Sequence, residues 1–148
     1  MLPPLWKRRR TEADMTCAEV IAEVDRNEPN QYDLFQKLKW LSTLDGKVLD
    51  EVIMTHRRAA NETMYNGGRC PLPPYQDAGC TLLIADPYAS EIYCSYLQMM
   101  IAKENAERAR YNDERAVYQA AYQQYCDWYN RTHRPLTGYG KTENRFKF

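Results

Sequence analysis

The stretch from Pro87 to Arg134 constrains this chain more than any other, because its periodicity calls for long helical structure with tyrosines along one face. Asp86-Pro87 reads as an N-cap followed by proline at the first helical position, where a missing N–H costs nothing. Tyr88, Ile92, Tyr96, Met99 and Met100 then mark an apolar face. That stripe fades over polar Lys103 to Arg110, and Asn112 with Asp113 offers a fresh cap. A turn or kink is therefore expected between Asn105 and Asn112, with a single unbroken helix as the alternative. Val117, Tyr118, Ala121, Tyr122, Tyr125, Trp128 and Tyr129 form the next face. Arg131, His133 and Arg134 follow where the helix dipole favours positive charge, and Pro135 stops the helix.

Twelve tyrosines against three phenylalanines is a skew that decides how this stripe is read. Tyrosines at helical spacing first of all bury rings and leave hydroxyls at the rim. The same side chain offers wide contact area with only two torsions, so Tyr118, Tyr122, Tyr125, Trp128, Tyr129 and Arg131 are expected to form a core stripe whose wet edge serves a subunit interface.

Upstream, Thr16 and Glu19 form a capping box ahead of Cys17, Val20, Ile21 and Val24, and Pro29 ends that helix by Asn27 or Glu28. Asp33 and Gln36 open a second helix, whose face runs through Leu34, Leu38, Leu41, Leu44, Val48 and Val52 to about His56. Gly46 costs roughly 1 kcal/mol relative to alanine in a helix interior and allows a bend. Over 57–80 the pattern fails, because Gly67, Gly68, Pro71, Pro73, Pro74 and Gly79 punctuate it, which leaves an exposed finger or a short extended hairpin. The expected architecture is all-α: a small helical bundle over 13–134 with two long C-terminal helices, or one kinked helix. A basic N-terminal arm at 1–12 and a flexible C-terminal tail at 135–148 flank it.

A chain of 148 residues, 44% apolar and 27% charged, suits one globular domain. Its formal charge is zero, but the ends are basic. Residues 1–10 carry +4 and 135–148 carry +2, so the body between them carries −6. Basic arms on an acidic body suggest contacts with something acidic or between neighbouring copies. No run approaches the roughly 18 apolar residues of a membrane span, so a soluble protein with no membrane partner is expected. Five cysteines, at 17, 70, 80, 94 and 126, with no secretory segment, point to a reducing compartment.

Catalysis needs groups that can meet, and no nucleophile–base pair, paired carboxylates or phosphate-cradling glycine loop is recognisable. His56 and His133 each close a helix, where a partly positive imidazole is simply stabilising. Cys70 and Cys80 flank the proline-rich loop without a C-x-x-C spacing, and buried free thiols behave as small apolar groups. Asn130-Arg131-Thr132 matches a glycosylation acceptor incidentally. The expectation is a protein that is not an enzyme and holds no metal or cofactor. Trp6, Lys7, Arg8, Arg9 and Arg10 can contact phosphate through counterion release, which supports an alternative function as a small DNA-binding or regulatory helical protein.

Several segments carry a family likeness: Lys39-Trp40-Leu41, Leu49-Asp50-Glu51-Val52, Leu82-Leu83-Ile84, Pro87-Tyr88, Arg110-Tyr111-Asn112 and the closing Trp128-Tyr129-Asn130-Arg131-Thr132-His133. Over roughly Cys17 to Pro135 the sequence resembles the helical head-to-tail connector, or adaptor, proteins of tailed bacteriophages. The closing run and the Tyr111-Asn112 pair are its most specific parts. The resemblance implies a structural virion protein that assembles in the host bacterial cytoplasm and sits at the virion neck. There a ring of about twelve copies lies beneath the portal, extends the channel for genomic DNA without reading its sequence, and docks the next neck or tail protein. It further implies that terminal segments order on neighbours, with Tyr139, Arg145, Phe146, Lys147 and Phe148 as portal or neighbour contacts. This chain departs from the pattern in its cysteine- and proline-rich loop and its strongly basic N-terminal arm.

Overall fold

The computed structural model describes residues 15–55, 73–85 and 87–133. These form four α-helices: α1 (Cys17–Asn27), α2 (Leu34–Val48), α3 (Ala89–Glu104) and α4 (Arg108–Thr132). The expected all-α class is what the chain adopts. Among the described residues there is no strand, only one isolated antiparallel bridge between Thr16 and Thr81.

α1 begins where the capping box places it. The Glu19 N–H donates to Thr16 Oγ1 at 3.2 Å and the Thr16 N–H to Glu19 Oε1 at 3.0 Å. Cys17, Val20, Ile21 and Val24 then turn one buried face inward. Asp33 caps α2 by accepting from the Gln36 N–H at 2.9 Å. The expected unbroken helix to about His56 is not what forms. α-Geometry gives way at Leu49 rather than bending at Gly46, and Leu49–Ile53 makes a π-helical turn closed by the Met54 N–H on the Leu49 carbonyl at 2.9 Å. The wider turn lets Val48, Val52 and Ile53 all face the core. His56 lies outside the described residues.

α3 begins at Ala89, two residues later than the Pro87 position the sequence suggests, with Tyr88 as N-cap. Asp86 lies outside the described residues. Nor is α3 one-faced: Ala89, Ile92, Tyr93, Leu97, Ile101 and Ala102 are buried, while Tyr88, Tyr96 and Met100 are only partly covered. The cause is position, since α3 packs on α1, α2 and α4 and so is enclosed from several sides.

The expected break falls at Asn105–Glu107, and its chemistry differs from the expectation. Asn112 and Asp113 are exposed positions inside α4, not caps. Instead α3 ends in a Schellman arrangement: the Glu107 N–H donates to the Ala102 carbonyl at 2.9 Å and the Ala106 N–H to the Lys103 carbonyl at 3.1 Å. This requires a left-handed residue, and Ala106 supplies it at φ 62°. Tyr32 holds the turn against the α1–α2 connection through its hydroxyl on Asn105 Oδ1 at 2.6 Å, and Arg110 pairs with Glu28.

α4 runs 25 residues and buries Tyr118, Ala121, Tyr125 and Tyr129 against α3. Val117, expected on that face, is 42% exposed, because the buried stripe is narrower than the apolar pattern. Part of the expected 57–80 loop is neither a finger nor a hairpin. Residues 73–85 lie on the bundle with Tyr75, Cys80, Leu82 and Ile84 buried, and 56–72 lie outside the described residues.

Ala106→Gly removes the left-handed strain at the turn. It is expected to raise unfolding stability by about 0.5–1 kcal/mol in urea titration, whereas any β-branched residue there should lower it.

Candidate functional site

The aromatic seam between α3 and α4 is the first candidate. Tyr96 meets Tyr118 at 5.2 Å between ring centroids, and Tyr118 meets Tyr122 at 5.8 Å. Towards the other end Tyr88 touches Tyr125 and Trp128, and the His133 ring stacks on Tyr129 at 3.8 Å. Lys47 reaches from α2 to stand 5.0 Å from the Tyr122 ring, a cation–π contact that ties the first half of the bundle to α4. Burial drives the hydroxyl pKa values of Tyr118, Tyr122 and Tyr125 well above the usual phenol range, so these side chains stay neutral and uncharged packing groups.

The predicted residues therefore divide. Tyr118, Tyr125 and Tyr129 are buried, Tyr122 and Trp128 are half-buried at the edge of the seam, and Arg131 is exposed. His133 is the C-cap of α4, in line with its expected position. The arm residues Trp6, Lys7, Arg8, Arg9 and Arg10 and the tail residues Tyr139, Arg145, Phe146, Lys147 and Phe148 lie outside the described residues.

The second candidate was not read from the sequence. Asp45 of α2 is fully buried. Its Oδ1 accepts from the Tyr93 hydroxyl at 2.6 Å; its Oδ2 accepts from the Tyr75 hydroxyl and from the Leu83 N–H at 3.0 Å. Tyr93 in turn accepts from the Ile84 N–H at 3.0 Å, and Ser42 Oγ accepts from the Tyr75 N–H at 2.9 Å. One carboxylate thus organises α2, α3 and the 73–85 segment. Its signal was present as an acid set between Leu44 and Val48 on the apolar face. Burial raises the Asp45 pKa to about 6, against the opposing pull of its hydrogen-bond donors. The site is closed and fully occupied by protein donors, which suits a structural junction.

An open groove of about 420 Å³ lies between α2 and residues 73–76, lined by Phe35, Leu38, Lys39, Ser42, Pro74 and Tyr75 among others. It is largely apolar, with Phe35 77% exposed at its rim. Among the described residues no group of three or more His, Cys, Asp or Glu side chains could hold a metal ion, and no helix is long and apolar enough to cross a membrane. Compared with family models, curated proteins and solved structures, the chain matches none.

The Asp45 carboxyl binds its proton more tightly in the folded chain, at about 6, than at its ordinary value of 3.8. Its contribution to stability is therefore full below pH 3.8 and is lost as pH rises through about 6, a difference on the order of 3 kcal/mol. Subtracting the Asp45→Asn stability curve from that of the unsubstituted chain should isolate this slope. Asp45→Ala strands two hydroxyls and an N–H and is expected to cost about 3–5 kcal/mol in chemical denaturation at neutral pH.

Proposed function

We propose that this protein is a head-to-tail adaptor of a tailed bacteriophage, a structural subunit that forms a ring under the portal, extends the DNA channel and docks the next neck or tail protein. The observation that carries the reading is the run Trp128-Tyr129-Asn130-Arg131-Thr132-His133, which resembles the connector family and forms the last turn and cap of α4. On the same helix, more than four turns upstream, lies Tyr111-Asn112, the other specific part of the resemblance.

The geometry supports assembly in a second way. Exposed large apolar side chains occur at separate places, with Leu34 and Phe35 at the start of α2 and Val117 on the outer side of α4. A ring requires one face of a subunit to meet a different face of the next, and two separated apolar contacts meet that requirement. The perturbed titratable groups at Asp45 and along the seam sit in packed surroundings and act on neighbouring protein atoms. That distribution fits a scaffold better than a reaction site.

The reading is tested by the mass and symmetry of the particle that the full chain forms with portal complexes, where a ring of about twelve copies is expected by native mass spectrometry and electron microscopy. Phe35→Asp should prevent ring formation while leaving the helical circular dichroism of the subunit unchanged. Deleting 136–148 should leave the domain folded and abolish joining of heads to tails. A chain that stays monomeric with portals, or whose deletion variant joins heads and tails normally, overturns the proposal. Salt-dependent DNA binding that vanishes when Lys7 to Arg10 are neutralised would favour the alternative of a DNA-binding helical protein.

A further inference from the structure

The junction between the start of α1 and the 73–85 segment is a short piece of antiparallel pairing. The Cys17 N–H donates to the Cys80 carbonyl at 3.0 Å, and the Leu82 N–H donates to the Met15 carbonyl at 2.8 Å, on either side of the Thr16–Thr81 bridge. This register sets Cys17 directly opposite Cys80. Cys17 is also the first residue of α1, so its side chain is not set by strand geometry. The hydrogen bond from its N–H to the Cys80 carbonyl holds the two backbones at about the 5.5 Å Cα spacing of a hydrogen-bonded pair, and Cys80 is near enough to act electrostatically on the Cys17 thiol. A disulfide spans Cα separations of about 4.4–6.8 Å. Both cysteines are free and buried, Cys17 completely and Cys80 at 5% exposure, in the same part of the core as Tyr75. Of the described cysteines, Cys94 lies on α3 and Cys126 on α4, so neither shares this register.

We propose that Cys17 and Cys80 are a cross-linking site, a dithiol that closes to a disulfide when the protein meets an oxidising glutathione couple and so fastens the 73–85 segment to the first helix. In the balanced step the two thiols give up two electrons and two protons to glutathione disulfide. One cysteine sulfur forms a mixed disulfide and releases one glutathione thiol; the second cysteine sulfur displaces the other. The product holds one new S–S bond and two reduced glutathiones. Burial, with Asp45 and Cys80 beside it, pushes the Cys17 thiol up to about 12, so closure at neutral pH is slow and proceeds when the 73–85 segment opens. The inference stands apart from the adaptor reading, since it needs only the register of Cys17 and Cys80.

The full chain is brought to equilibrium with an oxidised glutathione couple at mildly alkaline pH, with and without sub-denaturing urea to speed opening, and then alkylated under denaturing conditions. The expected product has an intact mass lower by two hydrogens and a single tryptic cross-link between the Cys17 and Cys80 peptides. It should melt roughly 10 °C above the reduced chain, as the closing of a long loop predicts. Cys80→Ala, which keeps a small apolar group in the core, should retain the fold and lose the cross-link. Complete alkylation of both cysteines after equilibration, or a cross-link that joins either of them to another cysteine instead, overturns the proposal.

Discussion

The Asp45 carboxylate holds three parts of this molecule to one point. Its partners come from α3, through Tyr93, and from the segment before α3, through Tyr75 and the Leu83 N–H. A buried carboxylate in an apolar setting is costly unless both its oxygens are hydrogen-bonded, so the arrangement rewards only one relative placement of the helices. Leu41, Leu44 and Val48 around it supply hydrophobic burial that many packings could satisfy. Asp45 makes the choice among those packings.

How far the sequence could be read follows from where each determinant acts. Thr16 with Glu19, Asp33 and Pro29 act within a few residues of themselves, and the helix ends fall where those residues put them. The break after α3 was legible as a loss of apolar periodicity, but its mechanism was not, because Ala106 carries no compositional mark of a left-handed residue. The π turn at Leu49–Ile53 and the enclosure of α3 depend on what packs around them. The same holds for Tyr75, Leu82 and Ile84. A glycine- and proline-rich neighbourhood reads as loop, while the burial of those side chains is decided by a surface that other segments build. Of the candidate site, the tyrosine stripe was visible as a period, while an acid on the apolar face at Asp45 marked a place without showing which distant donors, Tyr75, Leu83 and Tyr93, would meet it.

The tyrosine skew now has a physical account. Along α3 and α4 the rings form two groups, Tyr96 with Tyr118 and Tyr122, and Tyr88 with Tyr125, Trp128 and Tyr129, the second closed by His133 stacked on Tyr129. Offset and edge arrangements are those that aromatic rings prefer, and such a pair adds about 0.5–1.5 kcal/mol beyond the area it buries. The Tyr122 hydroxyl is enclosed beside Cys126, while the half-buried rings of Tyr122 and Trp128 leave aromatic surface at the seam's edge that a neighbour can cover. This is the property a subunit needs if the same helix is to serve its own core and, as proposed, an assembly.

The sequence separations around Asp45 also set an order of events. Its hydrogen-bond partners lie 30, 38 and 48 residues away along the chain, whereas α3 and α4 are joined by a turn at Asn105–Glu107. Closing a long loop costs more chain entropy than closing a short one, so the α3–α4 hairpin is favoured to form early in folding and the carboxylate junction late. A chain emerging from the ribosome makes α2 before any of these partners exists. Asp45 therefore begins as an ordinary hydrated acid on an amphipathic helix, and it loses its water only when the remainder of the domain arrives.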